Sequence, residues 1–277
     1  MVVKIVTDSA SDITQAEARQ LGITVVPAYV NFGNETYRDG IDIDIDEFYR
    51  KLATSKIHPS TAGPSPGDFA RVYQELARET DEIVSIHLSH KHSSIMESAL
   101  LGKEAAQDTG CHIEVIDSRG VTMWQALVTI AAARAAGTGY GLQQVVERVH
   151  DAISRARGLG LLGTMRYAVK GGRLGNAISR VESLLDVKSL LTVHDGELRP
   201  AGLVRTWEKG VERLHEFIRA KPDIESVAIA HSALPNDARK LADYVTSLFP
   251  NLVPKIAQLG PILVTHTGPG TMMIATI

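Results

Sequence analysis

The chain has few of the residues that several functional classes require. Cys111 is the single cysteine among 277 residues, which excludes an internal disulfide and a cysteine-based zinc site. Aromatic residues make up only 5% of the chain, which argues against stacking platforms for bases. The net charge is −3, so there is no general attraction for nucleic acid. No hydrophobic run is long enough to cross a bilayer.

The motifs of common catalytic sites are also missing. The sequence has no G-x-S-x-G elbow, no G-x-x-x-x-G-K-[ST] phosphate loop and no H-E-x-x-H zinc motif. His90 and His92 share a loop, but no adjacent carboxylate or cysteine completes a metal site there. Asp42, Asp44 and Asp46 lack the glycine and terminal glutamate of a calcium loop, so we interpret them as solvated charge on a strand or ahead of a helix. We expect neither a metal nor a cofactor.

The bulk composition is that of an ordinary globular protein. Hydrophobic residues make up 44% and charged residues 22% of the chain. The length suits two domains, for which we predict the bounds 1–157 and 158–277. The first residues predict a strand and carry no signal-peptide pattern, so we expect a cytoplasmic protein.

Strand and helix patterns alternate along the first half, which predicts an α/β fold. We expect an N-terminal, mostly parallel three-layer α/β/α domain and a smaller C-terminal α/β domain with a mixed sheet and a ligand at the interface. The predicted strands of the first half are 2–6, 23–32, 83–88 and 113–116, and its helices are 13–21, 68–78, 94–106, 123–136 and 142–157. Beyond these, strands 187–193 and 198–204 flank the hairpin turn Asp195-Gly196, and a helix 207–220, a strand 227–231, a helix 237–248 and two final strands follow.

The segment from Gly260 to Gly270 is the most informative single stretch. Its apolar run Ile262 to Val264 predicts a buried strand. His266 follows this strand and lies in a turn rich in glycine and proline. An imidazole on a stiff turn at a strand end is a useful donor near neutral pH. The alternative is a glycine-proline turn that carries a surface histidine.

Four loops bear hydroxyls or acids after predicted strands or extended segments: 7–12, 60–66, 89–94 and 117–119. Ligands of open parallel sheets bind beyond the carboxyl ends of the strands, where such loops meet. Ser93 also precedes a helix, so its hydroxyl and the helix amides could hold an anion together. Taken singly, each loop has the alternative interpretation of a helix cap, such as Asp12 or Ser93.

Lys170-Gly171-Gly172-Arg173 places two cations on a glycine turn between helical stretches. This pattern fits docking onto an acidic partner or phosphates. It also fits an exposed basic end of a helix.

In combination these residues resemble the DegV family, the fatty-acid-binding subunits of bacterial fatty acid kinases. The likeness runs the whole length of the chain. It consists of T-D-S-x-S-D at 7–12, T-x-x-P-S-P at 61–66, the serine loop at 89–94, D-S-R at 117–119, G-G-R at 171–173, D-G-E at 195–197, R-T at 205–206 and H-T-G-P-G at 266–270.

The resemblance implies two α/β domains that clasp one long-chain fatty acid, such as palmitate, stearate or oleate. It implies that the protein is a lipid-binding carrier and not itself a catalyst. The carrier presents the acyl carboxylate to a separate ATP-using kinase, which forms acyl phosphate for phospholipid synthesis. A transient contact with a membrane surface is compatible with that role, and nucleic acid is not an expected partner.

Residue by residue, the resemblance puts Thr61 and Ser93 on the carboxylate, with His266 nearby. It assigns Arg173, together with Lys170, to the edge that faces the kinase. The residues expected around this headgroup site are Ser94, Asp8, Ser9 and Thr267.

The sequence departs from the family pattern in three loops. Ala62-Gly63 replace the usual Ser-Gln, Ser93-Ser94-Ile95 replace the usual Ser-Gly-Thr, and Gly120 to Trp124 replace a serine and small residues.

Two other functions remain open from sequence. One is a hydrolase or acyltransferase with Ser93 as nucleophile and His266 as base, oriented by Asp8 or Asp117. The other, a nucleotide-binding regulator, is disfavoured because no glycine-rich phosphate loop follows the first strand.

Overall fold

A computed structural model describes residues 2–173, 187–221 and 223–277. The strands are β1 (Lys4–Asp8), β2 (Ile23–Val26), β3 (Tyr29–Phe32), β4 (Glu35–Arg38), β5 (Ser60–Ala62), β6 (Glu82–His87), β7 (His112–Asp117), β8 (Arg157–Leu162), β9 (Lys188–His194), β10 (Glu197–Val204), β11 (Val227–His231), β12 (Lys255–Gln258) and β13 (Thr271–Thr276). The α-helices are α1 (Gln15–Leu21), α2 (Ile45–Thr54), α3 (Pro66–Leu76), α4 (Ile95–Ala105), α5 (Met123–Gly137), α6 (Leu142–Arg155), α7 (Arg166–Gly171), α8 (Trp207–Arg219), α9 (Pro235–Leu248) and α10 (Pro261–Thr267).

The first sheet is parallel and has the strand order β2-β1-β6-β7. Its central strands are buried along nearly their whole length, as expected for strands covered on both faces. Helices α3 and α4 pack on one face, and α1, α5 and α6 lie on the other. The predicted three-layer α/β/α arrangement of the N-terminal part is therefore confirmed.

The second sheet is mixed and has the order β10-β9-β8-β13-β11-β12. Its pairs are antiparallel except for β11 with β12. The predicted hairpin turn is present, with positive φ angles of 48° at Asp195 and 78° at Gly196, as a type I′ turn requires. Helices α8 and α9 cover one face of this sheet, which confirms the predicted α/β class of the C-terminal part.

Helix α5 lies between the two sheets and contacts both. It packs on β1 and β6 of the parallel sheet and on β11 and β13 of the mixed sheet. Almost all of its residues are buried, and many of them are alanine, which lets two sheets approach one helix closely. A helix that is apolar on every side is expected to be buried on every side, and α5 joins both halves of the protein in one hydrophobic core.

A small antiparallel sheet of order β4-β3-β5 was not predicted. Its strands are short, and β4 is exposed along most of its length, so the sequence shows little apolar alternation there. Helix α2 lies between β4 and β5 in the chain, and its N-cap is Asp44, whose carboxylate accepts a hydrogen bond from the Glu47 amide over 2.8 Å. The alternating aspartates are thus the lead-in to a helix, one of the two alternatives.

The prediction of a strand at Ile262 to Val264 is wrong. These residues belong to α10, which begins with Pro261 and ends at Thr267. A proline in the first turn suits a helix, because its missing N–H would have no intrahelical partner there. A short apolar run does not distinguish a buried helix from a buried strand. Pro261, in the first turn, favours the helix.

The strands of the parallel sheet all come from residues before 118, and those of the mixed sheet from residue 157 onwards. The division into domains 1–157 and 158–277 stays a prediction. Among the described residues, no helix combines the length and the apolar character needed to cross a bilayer.

The fully buried carboxyl group of Asp8 ties β1 to β6 and α5. One of its oxygens receives hydrogen bonds from the Leu88 amide (3.1 Å) and the Gln125 amide group (2.9 Å), and it lies 3.0 Å from Nδ1 of His87. The other oxygen accepts from the Ala10 amide over 3.1 Å. Asp8 therefore organises the carboxyl edge of the parallel sheet.

We expect Asp8→Ala to lower the free energy of unfolding by about 3 kcal/mol, because several buried groups lose their partner at once. Urea denaturation measures this loss. Asp108→Ala, which removes an exposed carboxylate, is the control and should change stability by less than about 0.5 kcal/mol. Equal stability of the two variants would contradict a structural role for Asp8.

Candidate functional site

A cavity of about 430 Å³ lies between the carboxyl edge of the parallel sheet and the mixed sheet. We call it the inter-sheet cavity. Its volume is in the usual range for small-molecule sites. Its apolar walls include Leu88, Ile95, Val121, Trp124, Leu159, Leu162, Leu191, Val193, Leu198, Ile262, Leu263 and Met273. Its polar lining comprises Thr61, His92, Ser93, Ser94, Thr122, Arg173, Thr192, His266, Thr267 and Thr271.

Thr61 and His266 are hydrogen-bonded partners in this lining. The Thr61 hydroxyl lies 2.9 Å from Nε2 of His266, although 205 positions separate the two residues. Strand β5 carries Thr61, and the last turn of α10 carries His266. The structure thus brings together two of the three residues that the resemblance assigns to the headgroup.

His266 is neutral at physiological pH. Burial, followed by the nearby positive charge of Arg173, lowers its pKa to about 4. Its Nδ1 atom is buried and has no hydrogen-bond partner among the described residues. The ring packs against Gly171, where a Cβ atom would overlap Nδ1. A neutral imidazole can donate one hydrogen bond and accept another without bringing a charge into the cavity.

Ser93 lines the same cavity as the Thr61–His266 pair. Its hydroxyl accepts a hydrogen bond from the Ile95 amide over 3.3 Å, which orients it at the start of α4. Ser94 occupies the N-cap position, and its side chain makes no capping bond. The Ser93 hydroxyl thus binds the first amide of α4, as the alternative interpretation of a helix cap expects, while Ser94 makes no capping bond.

The loop that carries Ser93 is anchored to the second sheet. The Ser89 hydroxyl donates to the Gly196 carbonyl over 2.7 Å, and Nε2 of His92 accepts from the Leu198 amide over 3.0 Å. His90 pairs with Asp117 on the surface. The sequence pattern gave no sign of these roles, because each partner is distant in the chain.

The other expected headgroup residues divide into two groups. Ser94 and Thr267 line the cavity. Asp8 and Ser9 do not appear in that lining: Asp8 forms the buried network described above, and the Ser9 hydroxyl accepts a hydrogen bond from the Ala28 amide over 3.1 Å. Through these hydrogen bonds, Asp8 and Ser9 stabilise the loops around the cavity.

Arg173 and Lys170 are exposed, as expected for docking residues. Arg173 also lines the cavity and donates to the Gly171 carbonyl over 3.0 Å. It therefore lies where it can reach both a ligand and a partner, which the sequence did not indicate.

Asp12 is a supporting residue that sequence reasoning treated only as a candidate cap. Its carboxyl group accepts hydrogen bonds from the Gly260 amide (2.9 Å) and from the Thr122 hydroxyl. Burial raises the pKa of Asp12 to about 7. Thr122 has a φ of 46°, a strained value for a β-branched residue, and Asp12 holds it there. The same carboxyl group fixes the start of the helix that carries His266.

The whole chain matches one known protein family. A family model described as an uncharacterised protein of the DegV family matches residues 2–277. A DegV domain-containing protein from Halalkalibacterium halodurans is 33% identical over 276 residues, which make up 98% of this chain and 96% of that protein.

Two solved structures share the fold over the full chain. A fatty-acid-binding DegV family protein from Thermus thermophilus has a TM-score of 0.89 at 30% identity, and the match covers 100% of this chain and 99% of that one. DegV from Bacillus subtilis, a fatty acid binding protein, has a TM-score of 0.92 at 25% identity with the same coverage. These likenesses confirm the mixed α/β architecture.

We expect Gly171→Ala to push the imidazole of His266 out of its position, because a new Cβ would overlap Nδ1 and lie 3.1 Å from the His266 Cα. Once displaced toward solvent, the ring should regain a pKa near 6.5 in place of about 4, and NMR titration of His266 measures this. The parent protein should lose stability as the pH falls from 6.5 to 4, since its folded-state pKa is depressed, and the variant should lose less.

Gly137→Ala is the control for this substitution, because nothing lies within 4 Å of a Cβ at that position. It should leave the pKa of His266 at about 4. An unchanged pKa in Gly171→Ala would show that the ring does not depend on this glycine.

Proposed function

The chain belongs to the DegV family, and on this premise we propose that it binds one long-chain fatty acid in the inter-sheet cavity. The observation that carries the proposal is the cavity itself, an aliphatic space with a cluster of uncharged hydrogen-bonding groups. Burial of an acyl chain contributes about 0.8 kcal/mol per methylene. Palmitate, stearate and oleate are the ligands that we expect.

The carboxylate is held by the hydroxyls of Thr61 and Ser93, with the imidazole of His266 nearby. When Nε2–H of His266 donates to the Thr61 oxygen, the Thr61 hydroxyl proton is free for an oxygen of the ligand, and the Ser93 hydroxyl can donate to the ligand as well. Because His266 is neutral at physiological pH, it orients the Thr61 hydroxyl and forms no ion pair with the carboxylate. Arg173, at the exposed border of the cavity, is the charged residue with the largest effect on the pKa of His266, which it lowers.

The protein then presents this carboxylate to a separate ATP-dependent fatty acid kinase, which forms acyl phosphate for phospholipid synthesis. Arg173 lines the cavity together with the headgroup residues, and Lys170 is exposed three positions before it in the chain, so a partner that docks on this segment reaches the carboxylate. The protein supplies no catalytic group in this scheme.

The alternative of a hydrolase or acyltransferase has less support. Nε2 of His266 pairs with Thr61, and no hydrogen bond joins it to Ser93 among the described residues, so the proposed base does not contact the proposed nucleophile. Asp8 is bonded to His87, and Asp117 pairs with His90. Neither carboxylate orients His266, as a catalytic triad would require.

We expect Ser93→Ala to weaken the binding of palmitate about tenfold, because a hydrogen bond to a charged group contributes roughly 1.5–3 kcal/mol. Thr61→Ala should have a similar effect, and the affinity for hexadecanol should change much less. Isothermal titration calorimetry of the delipidated protein measures both ligands. Ser247→Ala, which removes an exposed hydroxyl on α9, is the control. Parent-like binding of palmitate by both Ser93→Ala and Thr61→Ala would rule out this headgroup assignment.

We expect Arg173→Ala to reduce acyl phosphate formation by a kinase from the same organism at least about tenfold, while palmitate affinity changes less than about threefold. The reason is that the side chain is exposed at the border of the cavity, where a docking partner would cover it. Arg239→Ala removes an exposed arginine of α9 and should have no effect. Equal losses of affinity and of acyl phosphate formation would place Arg173 on the ligand and not on the partner.

A further inference from the structure

The inter-sheet cavity has a neighbour, which we call the second cleft. It has a volume of about 720 Å³ and lies beside β7, α6 and the turn between β9 and β10. Among the described residues, only Trp124 and Val193 line both spaces. The two side chains therefore form the wall that separates them.

The second cleft has apolar walls on the far side of this partition. Its apolar lining consists of Val115, Ile116, Val146 and Ile153, besides the two shared residues. Charged groups such as Glu114, Arg119 and Arg157 complete its lining. Apolar surface is thus available to a hydrocarbon chain that passes Trp124.

Trp124 is held in place by close packing. It is only 5% exposed, and glycines adjoin it on both sides. A Cβ at Gly120 would overlap the five-membered ring, and a Cβ at Gly158 would lie 3.3 Å from Cε3 of the six-membered ring. Its buried Nε1 has no hydrogen-bond partner among the described residues, so a smaller side chain at this position breaks no hydrogen bond.

Helix α10 separates His266 from the Asp12–Thr122 contact, which lies near Trp124 in the sequence. The start of α10, at Gly260, is tied through Asp12 to Thr122, two residues before Trp124. Its other end carries His266, which is bonded to Thr61. Six residues of helix separate these ends by about 9 Å. None of the headgroup residues lines the second cleft.

We propose that Trp124 forms the closed end of the inter-sheet cavity and limits the length of the acyl chain that the protein accepts. This inference rests on the proposed binding of a fatty acid. A chain that reaches the indole has no further apolar surface to bury, and a longer one must fold back or remain partly in water. Removal of the indole joins the cavity to the apolar part of the second cleft.

The first test is the affinity of saturated fatty acids of 12 to 24 carbons for the parent protein, Trp124→Ala and Trp124→Phe. For the parent, affinity should rise by up to about fourfold per methylene and then stop rising. In Trp124→Ala the rise should continue to longer chains, with a gain of at least about tenfold for a 22-carbon acid. Trp207→Phe, on α8, is the control and should keep the parent profile.

The second test locates the chain against the indole. The sequence contains two tryptophans, so the Trp207→Phe variant leaves Trp124 as the sole indole fluorophore. Fatty acids brominated in the distal half of the chain should quench its fluorescence more strongly than an acid brominated next to the carboxyl group. Stronger quenching by the carboxyl-proximal bromine would place Trp124 at the headgroup and overturn the inference.

Failure of the proposed function and failure of the role of Trp124 give different results. If neither the parent nor any variant binds a fatty acid, the proposed function fails. If the parent binds but Trp124→Ala has the same chain-length profile, the inference about Trp124 fails and the proposed function stands. If Trp124→Ala does not fold, Trp124→Phe and the quenching experiment decide.

Discussion

The burial of helix α5 between two sheets is the constraint on which the rest of the structure depends. The helix has no polar face to offer to water, so both sheets must cover it. This requirement fixes the parallel sheet and the mixed sheet relative to each other. The first turn of α5 projects Trp124 to the place where the two sheets separate. The inter-sheet cavity starts at Trp124, where α5 no longer fills the space between the two sheets.

The headgroup residues come from elements that meet because of this arrangement. Loops after parallel strands converge at one edge of their sheet, and the Ser93 loop is among them. The His266 helix belongs to the other half of the chain, and Asp12 ties its first residue to that edge. Burial of the Asp12 carboxyl group raises its pKa to about 7, and its two hydrogen bonds offset part of this effect.

Periodicity predicted most of the helices and strands, and their alternation along the chain predicted the α/β class. Long apolar or amphipathic segments such as α5, α6 and α8 were found because the period of burial is visible over several turns. The error at α10 has a physical cause, since three apolar residues fit a helix and a strand equally well. The small sheet that carries Thr61 was missed because its strands are short and partly exposed. Its absence from the prediction hid the contact between Thr61 and His266.

The roles of single side chains were less predictable than the elements that carry them. The resemblance identified Thr61 and His266, and the structure shows them in contact. No local pattern could show that His92 accepts a hydrogen bond from a hairpin 106 residues away. In the sequence, Trp124 has the pattern of an ordinary core residue of an apolar helix, because its position between two cavities depends on strands far along the chain.

Strand β8 is a part of the cavity wall where small substitutions can change the shape of the cavity. Gly158 and Gly160 line it without side chains, so part of the wall is bare backbone. A methyl group at Gly160 would meet its neighbours at 3.8 Å, an ordinary contact distance, whereas one at Gly158 would press on the indole at 3.3 Å. Substitution of alanine for glycine needs a single nucleotide change. Descendants of this gene can therefore reshape the space in small steps at β8 while the residues around His266 stay as they are.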